Sequence, residues 1–152
     1  MTGQYYNFSN IPFATPPLGE LRFAAPTPPK TNRSAVNTGV VTHICFQQIP
    51  AWFGIDAPPD PRESEDCLYL DVMVPKRTFD GSLNGTNSGA PVLVWVYGGG
   101  YILGDKQEQG DPAGLLAKAT AVAGRDGDEG VIWVAINYRV RISHKSARVR
   151  GN

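Results

Sequence analysis

Pro91-Val92-Leu93-Val94-Trp95-Val96-Tyr97-Gly98-Gly99-Gly100-Tyr101-Ile102-Leu103-Gly104 runs from an uninterrupted apolar stretch into three consecutive glycines. An apolar run without alternation is the pattern of a parallel strand buried on both faces. Val131–Ile136 repeats that pattern further on. Between the two runs, Asp111 suits a helix N-cap, Pro112 the first helical position, and Gly124 the end. The intervening Ala113–Ala123 is rich in Ala and Leu, both strong helix formers. The predicted order is strand, glycine loop, helix, strand, which is a βαβ unit and places the chain in the α/β class. Bare N–H groups in the glycine loop can converge on one oxygen and stabilise negative charge there.

Outward from this unit the pattern thins. A strand apolar on both faces needs cover on both, and one crossover helix supplies one. No other convincing amphipathic helix is legible. Leu68–Val74 reads as a strand ending at Pro75, and residues 80–90 as a polar, glycine-rich loop. Ten of the thirteen prolines fall within residues 12–61, which predicts loops, turns and short edge strands there. Residues 141–152 carry four Arg or Lys and no acidic residue, and read as a solvated basic tail. The incomplete cover predicts unpaired strand edges such as Val131–Ile136.

The chain has 152 residues and 41% hydrophobic content, which fits a single globular domain. Fourteen basic residues balance fourteen acidic ones, so no charge field recruits nucleic acid or anionic lipid. No apolar run is long enough to span a membrane. The N-terminus lacks a basic region followed by an apolar stretch, so it is not a secretory signal as written. Against that, Cys45 and Cys67 are the only cysteines, an even count compatible with one bridge or with two inert thiols. Asn7, Asn32 and Asn84 each head an Asn-x-Ser/Thr sequon. An N-terminus upstream of Met1 reconciles these export features with the missing signal.

Four blocks carry a resemblance: Asn10-Ile-Pro-Phe-Ala-Thr-Pro-Pro-Leu-Gly-Glu-Leu-Arg-Phe23, Ser64-Glu-Asp-Cys-Leu-Tyr-Leu70, Val94-Trp-Val-Tyr-Gly-Gly-Gly-Tyr101 and Ala135-Ile-Asn-Tyr-Arg-Val140. In this order they resemble the type-B carboxylesterases, the carboxylesterase, lipase and cholinesterase relatives of the α/β-hydrolase fold. The resemblance implies that residues 1–140 are the N-terminal portion of such a domain, with 141–152 a divergent tail. It implies that Gly99 and Gly100 give two arms of an oxyanion hole, that Cys45 and Cys67 form a disulfide, and that Arg22 and Glu65 form a structural ion pair. The implied substrate is a small carboxylic ester, with no cofactor and no metal, and the implied location is extracellular. Tyr97 stands where many relatives have His. Ala57 stands where cholinesterases place a cation-binding Trp, which argues against a choline ester. No Gly-Lys-Ser/Thr follows the glycines, so a phosphate cradle is discounted. His43 and His144 match no catalytic position, and Glu65 and Asp66 are not the family's catalytic acid.

The family's nucleophile sits in Gly-x-Ser-x-Gly on a strand-to-helix turn. None of Ser9, Ser34, Ser64, Ser82, Ser88, Ser143 and Ser146 lies in that pattern. The expectation is therefore a segment of a serine ester hydrolase that is inactive alone, through a truncated gene model, a frameshift or intron read-through. The alternatives are a non-catalytic binding or adhesion relative and a product without function.

Overall fold

A computed structural model describes residues 4–30, 34, 43–48, 52, 54, 58–86, 89–108, 111–122 and 130–140. Four strands, β1 (Tyr5–Pro12), β2 (Tyr69–Pro75), β3 (Val92–Trp95) and β4 (Ile132–Ile136), form one sheet in the order β1-β2-β4-β3. Two helices, α1 (Lys76–Leu83) and α2 (Ala113–Val122), accompany it. β1 and β2 pair antiparallel, as do β2 and β4, while β3 and β4 run parallel around the α2 crossover. This partial mixed sheet is the arrangement expected of the N-terminal portion of an α/β-hydrolase fold.

The register of β1 shifts between Phe8 and Ile11, where Asn10 adopts a positive φ of 56°. Asn tolerates that conformation better than most residues. The freed Asn10 N–H donates to the Asp71 carboxylate at 2.7 Å. The irregularity thus turns a backbone donor from the ladder toward a half-buried carboxylate.

α2 starts where local chemistry favours it. The Asp111 carboxylate accepts the Ala113 N–H at 2.9 Å, and the Pro112 carbonyl accepts the Leu116 N–H at 2.8 Å. Leu116 packs with Trp133 and Ala135, flanked by Tyr5, Met73 and Trp95. The Tyr5 hydroxyl donates to the Leu116 carbonyl at 2.9 Å and lies 2.8 Å from the Thr120 hydroxyl. These contacts cover one face of β4. Gly124, the expected end of the helix, lies outside the described residues.

Three expectations need correction. Residues 80–83 are not loop but the second half of α1. Gly81 and Ser82 are poor helix formers, but Phe79 packs on Tyr6 and Phe8 with ring centroids 5.3 and 5.4 Å apart. Tertiary docking outweighs local propensity here. Second, Ile132–Ile136 is not an open edge: β4 is paired on both sides. Third, β3 is not buried on both faces. Among the described residues it is the sheet's edge, and Val92 and Val94 are 58% and 53% exposed on the face opposite α2. α1 covers that second face only near β1 and the end of β2, where Val74 and Thr78 are buried.

Candidate functional site

The glycine loop leaves β3 through Tyr97, which is buried. Gly99, Gly100 and Tyr101 all take positive φ, at 132°, 63° and 63°. Successive left-handed residues coil the chain into a tight turn. The Gly99 carbonyl accepts the N–H groups of both Ile102 and Leu103, each at 3.2 Å. Among the described residues, neither the Gly99 nor the Gly100 N–H finds an acceptor within the chain. Two adjacent amide donors are therefore left available at the surface of the turn.

Two glycines in this loop are required by space. A Cβ at Gly99 would collide with the Leu103 carbonyl, and one at Gly104 would come within 2.6 Å of the Tyr97 ring and 2.7 Å of the Gly98 carbonyl. Gly104 was not singled out from the sequence. Its φ of 111° and its contact with Tyr97 bring the end of the loop back onto its beginning.

Tyr97 joins the loop to the strand after it. Its hydroxyl donates to the Tyr138 carbonyl at 3.0 Å, and the Tyr138 hydroxyl donates to the Tyr97 carbonyl at 2.6 Å. The rings stack with centroids 4.3 Å apart. Burial pushes the Tyr97 phenol well above its ordinary range, so the group is neutral and serves as a hydrogen-bond donor rather than a base.

Behind the loop lies a polar cluster that pattern reading missed. Lys106 Nζ is bonded to both Asp71 oxygens, at 2.7 and 2.6 Å, and the two side chains are only 3% and 15% exposed. The Asn137 side chain is fully buried; it accepts the Lys106 N–H at 2.9 Å and donates to the His43 carbonyl at 3.1 Å. The available signal was Asp71 itself, the one charge in the strand Tyr-Leu-Asp-Val-Met-Val-Pro. A carboxylate in an apolar strand requires a partner.

Cys45 and Cys67 are joined by a disulfide that closes a separation of 22 residues. Constraining such a loop stabilises by about 3 kcal/mol in the chain-entropy model. Arg22 holds Glu65 through two bonds, Nε to Oε1 at 2.5 Å and Nη2 to Oε2 at 3.0 Å. Both pairs border one cleft, with Phe23, Phe46, Arg139 and Val140. Gly99 and Gly100 line neither that cleft nor the small one beside His43, Asp105 and Asn137. The glycine loop and the Arg22–Glu65 pair are thus separate features.

His43 is held by structure: its Nδ1–H donates to the Asp66 carbonyl at 2.9 Å. Ser64 accepts the Asp66 N–H at 3.1 Å. Among the described residues no cluster of His, Cys, Asp and Glu is arranged to hold a metal. Asn7 is exposed on β1 and Asn84 is exposed at the end of α1, whereas Asn32, Ala57 and His144 lie outside the described residues.

The family model described as carboxylesterase family matches residues 1–152. The chain belongs to the carboxylesterase family. The match includes the last twelve residues, set apart above by their composition. The carboxylesterase patB of Penicillium expansum is 36% identical over 93% of this chain and 31% of its own length. Acetylcholinesterase 1 of Caenorhabditis briggsae is 36% identical over 89% of this chain and 20% of its own. Human cocaine esterase is 42% identical over 64% of this chain and 17% of its own. Among solved structures, a PNB esterase superposes with a TM-score of 0.59 at 30% identity, covering 91% of this chain and 24% of that one. EstA of Aspergillus niger superposes with a TM-score of 0.63 at 25% identity, covering 91% and 23%. This carboxylesterase chain therefore spans less than a third of the relatives it matches. None of its described helices is long and apolar enough to cross a membrane.

Proposed function

We propose that this chain carries the oxyanion loop of a serine-type carboxylic-ester hydrolase, with Gly99 and Gly100 as two of its donors. The observation that carries this reading is the pair of adjacent amides left without an acceptor among the described residues, on a turn whose own carbonyl already accepts two N–H groups. When a nucleophile attacks an ester carbonyl, negative charge develops on the carbonyl oxygen. Preorganised N–H donors stabilise that oxygen more than the neutral ester, which lowers the barrier. Removing one such donor costs about two to three orders of magnitude in rate. The substrate class is a carboxylic ester. The disulfide and the exposed sequons at Asn7 and Asn84 support an extracellular, glycosylated protein.

No serine of the 152-residue chain lies in a Gly-x-Ser-x-Gly elbow. Attack, proton shuttling and orientation of the base need three side chains that the loop does not supply. The chain alone therefore does not turn over ester. Incubation with p-nitrophenyl acetate should release p-nitrophenol at the background rate. A rate above background that a serine-directed organophosphate abolishes would overturn this.

A further inference from the structure

We propose that Gln47 is the positioning residue of the glycine loop, and that the Cys45–Cys67 disulfide holds Gln47 in place to do so. This rests on the oxyanion reading of the loop and adds to it the part that sets the loop's shape. Both polar atoms of the Gln47 amide are engaged. Nε2 donates to the Cys45 carbonyl at 2.6 Å and to the Gly104 carbonyl at 3.0 Å, while Oε1 accepts the Gly104 N–H. Two donors and one oxygen are all engaged. Flipping the amide would aim its oxygen at two carbonyl oxygens, so the network permits one orientation. The side chain thus grips both backbone groups of Gly104, the residue whose contact with Tyr97 and Gly98 leaves no room for a Cβ.

The next residue adds a second tie, with the Gln48 N–H donating to the Ile102 carbonyl at 2.8 Å. Ile102 in turn bonds to the Gly99 carbonyl. Gly104, Ile102 and Gly99 therefore move as one unit, and the direction of the Gly99 and Gly100 amides depends on where residues 45–48 sit. Residues 45–48 belong to no helix or strand. Their place is set by the disulfide and by flanking bonds, Ile44 N–H to the Arg62 carbonyl at 3.0 Å and Ser64 N–H to the Ile44 carbonyl at 2.9 Å.

Residue-resolved hydrogen exchange on the oxidised 152-residue chain tests this without ester or nucleophile. In the wild type, Gly104 should be protected while Gly99 and Gly100 exchange near the free rate. Gln47→Leu and Gln47→Glu should each speed Gly104 by about tenfold or more, with the β2–β4 ladder unchanged. Glu fills the same space as Gln but offers no donor and sets a carboxylate against two carbonyls, so a role in packing alone would survive it. Replacing both cysteines by Ser should speed Gly104 in the wild type and add nothing in Gln47→Leu. An unprotected Gly104 in the wild type, an unchanged Gly104 in Gln47→Glu, or equal acceleration throughout the sheet would each overturn the proposal. Protection of Gly99 and Gly100 together with a Gln47-dependent Gly104 would sink the oxyanion reading and leave the clamp standing.

Discussion

Tyr97 and Tyr138 exchange hydroxyl–carbonyl hydrogen bonds across the ends of the parallel strands β3 and β4 while their rings stack. Each phenol satisfies the backbone carbonyl of the other residue just where the ladder stops. This reciprocal lock fixes the start of the glycine loop relative to the strand that follows the crossover. Tyr97→Phe should keep the stacking but lose the bond its hydroxyl donates to the Tyr138 carbonyl and the longer one it accepts from the Tyr138 N–H, lowering stability by about 1–2 kcal/mol. Tyr138→Phe loses one bond and should cost about 1 kcal/mol. A double-mutant cycle by urea unfolding should show coupling between the two substitutions, because they share one network; strict additivity would mean that the two bonds act separately.

The Lys106–Asp71 pair should respond asymmetrically. Lys106→Met strands a carboxylate that, among the described residues, retains the Asn10 N–H alone, and should cost about 3–5 kcal/mol. Combining it with Asp71→Asn should recover much of that loss, since the charge left unpaired is what destabilises. Chemical denaturation of the two single variants and the double variant checks this. A double variant less stable than Lys106→Met would refute it.

Tyr69 gives a dependence on alkaline pH. Its phenol is pushed up to about 12 by burial first and then by its bond to Asp66. A raised folded-state value means that the native chain holds this proton more tightly than the unfolded chain. Its contribution is thus complete below the ordinary value near 10 and is lost as pH rises toward 12. Tyr69→Phe should flatten the fall of the denaturation midpoint over that window. An unchanged slope would show that Tyr69 is not the linked group.

Gly99→Ala should strain the loop by about 1–3 kcal/mol, through both its φ and the collision with the Leu103 carbonyl. Gly100→Ala meets no atom closer than 3.9 Å and pays mainly for its φ, so it should be the milder change. Thermal melts of the two variants give the ranking, and a more damaging Gly100→Ala would contradict the turn geometry.

Much of this arrangement was legible before the fold was known. Asp111 and the Ala/Leu-rich segment after it marked α2, and Val131–Ile136 marked β4, because capping and apolar runs are local signals. The strand at Leu68–Val74 differs from β2 by one residue at each end. Where local signals competed with distant contacts, the reading failed. Asp80, Gly81 and Ser82 resemble a loop, but Phe79 docks on Tyr6 and Phe8 from a strand about seventy residues earlier in the chain.

The sequence alone determined the family, the α/β class and the presence of the glycine turn, since these reside in contiguous motifs whose spacing needs no partner. Only the tertiary structure decided which strand is central, that Lys106 neutralises Asp71, and that Gln47 grips Gly104. Those facts depend on residues between 35 and 66 positions apart being brought within hydrogen-bond reach. Such pairing carries no periodic or compositional signature, because a buried charge or amide announces that it needs a partner without indicating which one.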